Sequence, residues 1–528
     1  MKTTKKLLAL LLASVMLLGV FAACGKKAPA DSKTSPNAEA PKTEKTSLVY
    51  GSGDYTRINP AIDEHGEINV LIFNGLTAHA ADNSLVPCLA KEWSYDEATH
   101  TYTFKLEDGV KWHDGKPFTA EDVKFTIEAI MNPENESEIA SNYEDVKEIK
   151  VLDEHTISFT LAETNVAFPE YMSIGMLPKH LLEGESMQES AYFRAPVGTG
   201  PYKLSNWDEG QAITLVKNDD YFKGAPKIDT IVFKIVNDAN AKALQLKSGE
   251  LDLAQLTPKD AKNFADNKDY TCYDMKTADY RGILYNFANE YWQKNRDLIP
   301  AINFGIDREA LVNAVILGQG LIGYGPLQRN IYNNENVEQY KYNPEKSVEI
   351  LEKAGCTKGA DGFYTRNGEK IGFTISCSAG DQVRIDMAQV ASQQLKAIGI
   401  DVKVEVPAKT DWANQQAFLI GWGSPFDADD HTYKVFGTDK GSNYSAYSNP
   451  KVDEYMTLAR QTEDTAKRAE YYNLFQEELA KDPAFTFFCY VDADYVATSA
   501  LKGIAADTVL GHHGVGIFWN VCDWTIEK

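Results

Sequence analysis

Between Thr230 and Ala254 the chain changes its hydrophobic rhythm twice. Thr230 to Val236 is rich in β-branched residues and reads as a strand, Asn240 to Ser248 reads as a helix closed by Gly249, and Glu250 to Ala254 returns to alternation. Strand, helix and strand in immediate succession predict two parallel strands joined by a right-handed crossover. Similar switches recur along the body. Leu48 to Gly51 predicts a strand and Gly53 to Asn59 a loop; His100 to Leu106 predicts a half-buried strand, as does Ile213 to Lys217. Asp108-Gly109 and Asp114-Gly115 are hairpin turn signals around Val110 to His113. Thr119 opens a helix as an N-cap for the Asp122 amide, and Pro133 stops it. Further helices are predicted over Asp307 to Leu317, Pro344 to Lys353, Gln382 to Ile398, Pro450 to Arg460 and Thr465 to Lys481, with a strand at Asp401 to Val406. The fold class is α/β, without a short-period repeat.

The N-terminus is of another kind. Lys2, Lys5 and Lys6 precede an apolar run from Leu7 to Ala23, which Cys24 closes. This is the layout of a secretory signal over residues 1–23, with no stop-transfer charge cluster after it. Phe21-Ala22-Ala23-Cys24-Gly25 resembles a bacterial lipobox, with Phe21 where Leu is usual. The resemblance implies that the Cys24 sulfur takes a diacylglycerol, each buried CH₂ contributing ~0.8 kcal/mol of anchoring. Residues 24–46 carry no large apolar side chain beyond that point and read as a flexible tether. The expected location is the extracytoplasmic face of the cell membrane.

The remaining body is too long for one core and predicts two or three domains. A formal charge of −23 excludes a nucleic-acid partner, whose phosphates demand basic surface. Cys88, Cys272, Cys356, Cys377, Cys489 and Cys522 include no CxxC pair and are too scattered for a zinc site or a disulfide scaffold, so they read as small buried hydrophobes.

Several stretches, in order, resemble a known family: LAKEW at Leu89 to Trp93, YTFKLEDGVKWHDGKPFTAEDVKF at Tyr102 to Phe125, VGTGPYKL at Val197 to Leu204, KNDDYF at Lys217 to Phe222, GELDLA at Gly249 to Ala254, GIDREA at Gly305 to Ala310 and NPEKSVEILEKAG at Asn343 to Gly355. Together these are similar to the extracellular solute-binding proteins, family 5, of peptide and nickel ABC importers. The resemblance implies a two-lobed periplasmic-binding-protein fold, type II and cluster C-like, with an extra sub-lobe inserted in lobe I and two strands crossing between lobes. On that pattern lobe I comprises 47–66, 190–275 and 490–528, sub-lobe II 67–189, and lobe III 276–489. A monomer that closes on a peptide and delivers it to membrane permease subunits is implied, with no cofactor and no catalytic residue.

His113, Asp114, Glu121 and Asp122 could be drawn as an acid–base set. A hairpin and the first turn of a helix explain them as well, since carboxylates favour a helix N-terminus. HExxH, GxSxG and P-loop motifs are all absent from the sequence, which weighs against a secreted hydrolase.

Gly421-Trp422-Gly423-Ser424-Pro425-Phe426-Asp427 is the candidate ligand segment. Its glycines permit close backbone approach. In peptide-binding relatives a Gly-Trp here lines the cleft, and a carboxylate four residues after that glycine pairs with the peptide ammonium. That position holds Pro425, and Asp427 is the nearest substitute. Trp422 and Phe426 fit either ligand pockets or core packing; Asp429 and Asp430 read as a helix cap or solvated loop. Tyr280 and Arg281 precede a strand from Ile283 to Phe287 where the resemblance places the lobe crossing. Arg281 could grip a ligand carboxylate or lie on the surface. Tyr55 follows the first strand, in a loop that borders the cleft in relatives. The alternative within the fold is a nickel or nickel-chelate binder using His431, His512 and His513. No protein-held metal site is expected for the peptide reading.

Overall fold

The computed structural model describes residues 46–63, 66–511 and 516–527. The expected signal, Cys24, the tether up to residue 45 and the His512–His513 pair lie outside the described residues. Among the described residues no helix is long and apolar enough to cross a membrane.

An eleven-stranded sheet runs through the body. Ser47–Ser52 pairs in parallel with both Thr230–Ile235 and Leu253–Leu256, so the crossover helix Ala239–Ser248 passes over the first strand. Gly51 makes that layer fit: a Cβ there would lie 2.7 Å from the Leu251 side chain. Gly249 ends the helix at φ +77°, in the left-handed region that favours glycine. The Asp252 carboxylate then accepts the Val49 N–H at 2.7 Å, fixing the returning strand against the first.

Two long strands, Tyr270–Tyr285 and Phe485–Thr498, pair antiparallel from Tyr270↔Thr498 to Leu284↔Phe485. Register shifts fall between Lys276 and Tyr280 and between Arg281 and Gly282. The apolar interior divides near that irregularity. One core takes residues from Leu48 to Met275 together with Ala493 to Trp524; a second takes Tyr280 to Tyr490. The fold is thus two-lobed, with both crossing strands contributing to both cores.

A separate four-stranded antiparallel sheet, in the order Ala90–Asp96, Thr101–Leu106, Thr156–Leu161, Val146–Asp153, shares the first core and packs under helix Ala120–Met131. The hairpin expected around Val110 to His113 reduces to turns and one bridge, Lys111↔Pro117. The two motifs of this region explain each other. His113 Nδ1 accepts the Gly198 N–H at 3.1 Å, and its Nε2 meets the Gly200 carbonyl at 3.0 Å. Burial pushes the His113 imidazole down to about 4, so it stays neutral. The Asp122 carboxylate accepts the N–H groups of Thr119 and Lys179, both at 2.9 Å, and with Thr119 as N-cap it forms a capping box at the start of the helix. The side chains that resembled an acid–base set are engaged in holding loops together.

Candidate ligand cleft

A cavity of about 560 Å³ lies between the lobes. Lobe I contributes Pro60, Leu510 and Trp519, the inserted part Asn69, Phe73, Thr77, His79 and Ile174, and lobe III the segment Gly423 to Phe426 with Asp430 and His431. A second cavity, of about 330 Å³, is lined by lobe III residues alone, among them Asn333, Gln339 and Tyr340.

The lobe III wall is built by a buried strand, Ala417–Ile420, that pairs with Gly282 to Tyr285 and then turns outward. The turn is tight. A Cβ on Gly421 would lie 1.5 Å from the Tyr280 carbonyl oxygen, and one on Gly423, at φ +142°, 1.7 Å from the Ala278 carbonyl oxygen. Only glycine passes at both points. The Trp422 carbonyl accepts the Tyr280 N–H at 2.8 Å, which seats the segment on the first crossing strand.

Of the residues expected to bind ligand, Gly423 and Ser424 line the cavity, and Tyr55, Tyr280, Arg281, Gly421, Trp422 and Asp427 do not. Trp422 is 7% exposed and packs on Phe485 and Tyr444. Tyr280 packs among Phe485, Phe487 and Tyr490. Tyr55 packs against the first core. Arg281 is buried, not a surface residue; its Nη1 donates to Asp279 and to the Tyr280 carbonyl. Asp427 has its charge matched within lobe III. Arg468 grips both of its oxygens through two guanidinium nitrogens, Nη2 at 2.7 Å from Oδ1. Desolvation opposes that guanidinium's charge, but Asp427, with smaller contributions from Tyr472 and Tyr332, holds the Arg468 pKa far above its ordinary value. An arginine already paired in this way leaves Asp427 without a free charge for a ligand ammonium.

The structure brings other residues to the cleft. His79 stacks on Phe426 with ring centroids 3.6 Å apart and planes 12° apart. Its Nε2 lies 2.6 Å from Glu170 Oε2. Burial holds the Glu170 carboxyl above its usual value, and the His79 contact partly offsets this. Among acidic groups on the wall, Asp63 is taken by Arg57 at 2.6 and 2.8 Å. Among the described residues the cations nearest Asp430 are Lys434 at 3.8 Å and His431 at 3.9 Å. Lys223 is a cation on the opposite wall, its Nζ 3.0 Å from the Pro87 carbonyl.

One signal could have found the Asp427 pairing in the sequence. Arg468, Tyr472, Phe475 and Leu479 recur at helical spacing on one face of Thr465–Lys481, and all are buried. An arginine on an apolar stripe requires a carboxylate from elsewhere.

Residues 84–444 match the family described as bacterial extracellular solute-binding proteins, family 5 middle, and the chain belongs to that family. The structure of NikZ from Campylobacter jejuni in complex with Ni(L-His) is similar, with 35% identity, a TM-score of 0.84, and 91% of this chain and 99% of that one covered. The oligopeptide-binding protein AppA of Bacillus subtilis is 28% identical over 99% of each chain. Its structure with a nonapeptide gives a TM-score of 0.80, covering 92% of this chain and 100% of that one. The family comprises solute-binding proteins rather than enzymes.

Proposed function

We propose that this chain is the lipid-anchored binding component of an ABC importer and captures short peptides with free termini in the interlobe cavity. The observation that carries the reading is the cavity itself, whose walls come from both lobes and from the inserted part. A volume of about 560 Å³ lies within the ~300–1,000 Å³ typical of small-ligand sites. That size suits two or three residues better than a long peptide.

Asp430 supplies the anion for the ammonium in this reading, in the place given to Asp427 from the sequence. Lys223 is the cation for the carboxylate, and Gly423 and Ser424 offer backbone to the ligand. Phe426 and His79 form an apolar and aromatic wall. The lobe limits expected from the sequence, with lobe III at 276–489, are kept; the division of the cores near Thr277 and Val491 supports them. Lipidation of Cys24 and delivery to membrane permease subunits complete the proposal.

A nickel chelate is the second reading. It is favoured by two histidines that line the cavity, His79 from the inserted part and His431 from lobe III, and by the likeness to a structure holding Ni(L-His). Among the described residues no group of three or more His, Cys, Asp or Glu side chains could hold a bare ion. In this reading the metal therefore arrives as a chelate, with one imidazole completing its coordination. Calorimetric titration with di- and tripeptides, and separately with nickel–histidine, tests both. Peptide binding that is lost on N-acetylation is expected; binding of the nickel complex alone would replace the first reading with the second.

A further inference from the structure

The crossing strands carry a carboxylate, Asp494, that pairs with no cation among the described residues. Asp494, on the second strand, is 5% exposed. Its Oδ1 accepts from Gln319 Nε2 at 3.0 Å, and its Oδ2 is buried with no hydrogen-bond partner among the described residues. Directly opposite it, on the first strand, stands Asp274. Asp492 follows on the same face, and Arg329, the nearby cation, is committed to Asp492 and to the Thr277 carbonyl, the latter at 2.7 Å. The remaining titratable groups on that face of the first strand are Tyr270, opposite Thr498, Cys272, opposite Val496, and Lys276. Lys276 stands opposite Asp492 rather than Asp494. Like charges directly opposite weaken a strand pair, and a buried anion without a cation is costly.

The turn that covers Asp494 belongs to lobe III. A Cβ on Gly320, at φ +93°, would lie 2.2 Å from the Tyr490 carbonyl oxygen, so the Gly318-Gln319-Gly320 turn rides directly on the crossing strand. Gln319 reaches from this turn to Asp494, which lies between Ala493 and Tyr495 of the first core. A proton on Asp494 is therefore felt where the two lobes join.

We propose that Asp494 is a proton switch in the hinge: it is neutral when protonated, and its ionisation sets it against Asp274 and Asp492 and loosens the pairing of the crossing strands. Burial first, and the facing Asp274 next, push the Asp494 carboxyl up to about 7; the Gln319 hydrogen bond opposes them. Burial and Asp492 raise Asp274 as well, against Arg329 and Lys276. The folded value lies above the ordinary 3.8, so the folded state binds the extra proton. This group's contribution to stability is full below about pH 4, falls as pH rises to about 7, and is flat beyond.

The test is thermal unfolding and amide hydrogen exchange of the full chain across that range, comparing wild type with Asp494→Asn and Asp274→Asn. The wild type is expected to lose stability between about pH 4 and about pH 7 relative to Asp494→Asn. Amides of 272–276 and 492–496 should exchange faster above the midpoint in wild type only, after correction for intrinsic rates. Asp274→Asn should move the midpoint down. Superimposable profiles for wild type and Asp494→Asn would overturn the proposal. Should Asp494→Asn fail to fold, an unmoved midpoint in Asp274→Asn overturns it equally.

Discussion

Arg460 stands between two carboxylates from different parts of the molecule, with Nη2 2.7 Å from Asp429 in its own lobe and Nη1 3.0 Å from Asp145 in the inserted part. Tyr171, also in the inserted part, donates its hydroxyl to the same Asp429. The Arg460 guanidinium lies 3.4 Å above the Tyr433 ring, and the Arg460 carbonyl accepts the Val166 N–H at 2.9 Å. Arg460 holds Asp429 below the ordinary carboxylate range although burial works the other way. This network ties the inserted part to lobe III, and moving the two apart would separate Asp145 and Tyr171 from Arg460 and Asp429.

The cross-cleft bond can be removed with little else disturbed. Tyr171→Phe deletes one hydrogen bond to a charged group, worth about 1.5–3 kcal/mol. A cost borne by the closed form alone appears as weaker ligand binding, on the order of tenfold or more. Calorimetry with one peptide on both proteins measures it. Equal affinities would show that this bond does not contribute to closure.

Arg460→Met should do more damage. Asp429 is 1% exposed and would be left buried without its main cation. Breaking one side of a buried pair costs about 3–5 kcal/mol. Denaturant unfolding should show a lower midpoint, and Asp145→Asn, at the more exposed end, should cost much less.

Asp427 and Asp430 separate by their partners. Asp427→Asn strips the charge partner from buried Arg468 and should cost about 3–5 kcal/mol of stability. The ratio of affinities for free and N-acetylated peptide should nevertheless survive in Asp427→Asn and collapse in Asp430→Asn. A ratio lost in Asp427→Asn alone would return the anchor role to Asp427.

Gly423→Ala places a methyl group 1.7 Å from the Ala278 carbonyl oxygen at a backbone angle that disfavours side chains. The segment must move, at a cost of roughly 1–3 kcal/mol. Ligand binding should fall further than stability does, because this residue lines the cavity. A variant that binds as wild type does would remove Gly423 from the site.

How far the sequence could be read depended on whether a segment's partners are local. Pro344–Lys353, Pro450–Arg460 and Thr465–Lys481 were read with the limits they have, because caps and stops are local signals: Asn343, Asn449 and Asp464 each accept a first-turn amide. The crossing strands are largely illegible in the sequence. Every residue from Thr277 to Tyr285 is buried, so no alternation marks that stretch, and only its last few residues read as a strand. The site segment was found through its glycines. Its side-chain roles were not, because Asp427 is defined by Arg468, 41 residues away, and Arg281 by a buried Asp279 whose burial no periodicity reveals. The contribution of His79 needed the fold, since Phe426 meets it only across the cleft.

Anchoring is tested apart from the cleft. Cys24→Ser should release the protein from membranes or leave it unprocessed, read by fractionation and a fatty-acid label. Retention of both membrane association and label would contradict lipidation at Cys24.

Capture of a short peptide by its free N-terminus is read by calorimetric titration of the wild-type protein with one tripeptide, its N-acetylated form and nickel–histidine. Saturable binding of the free tripeptide, a loss of at least tenfold on acetylation, and no comparable affinity for the nickel complex are expected. Binding of nickel–histidine with none of either peptide would contradict this capture.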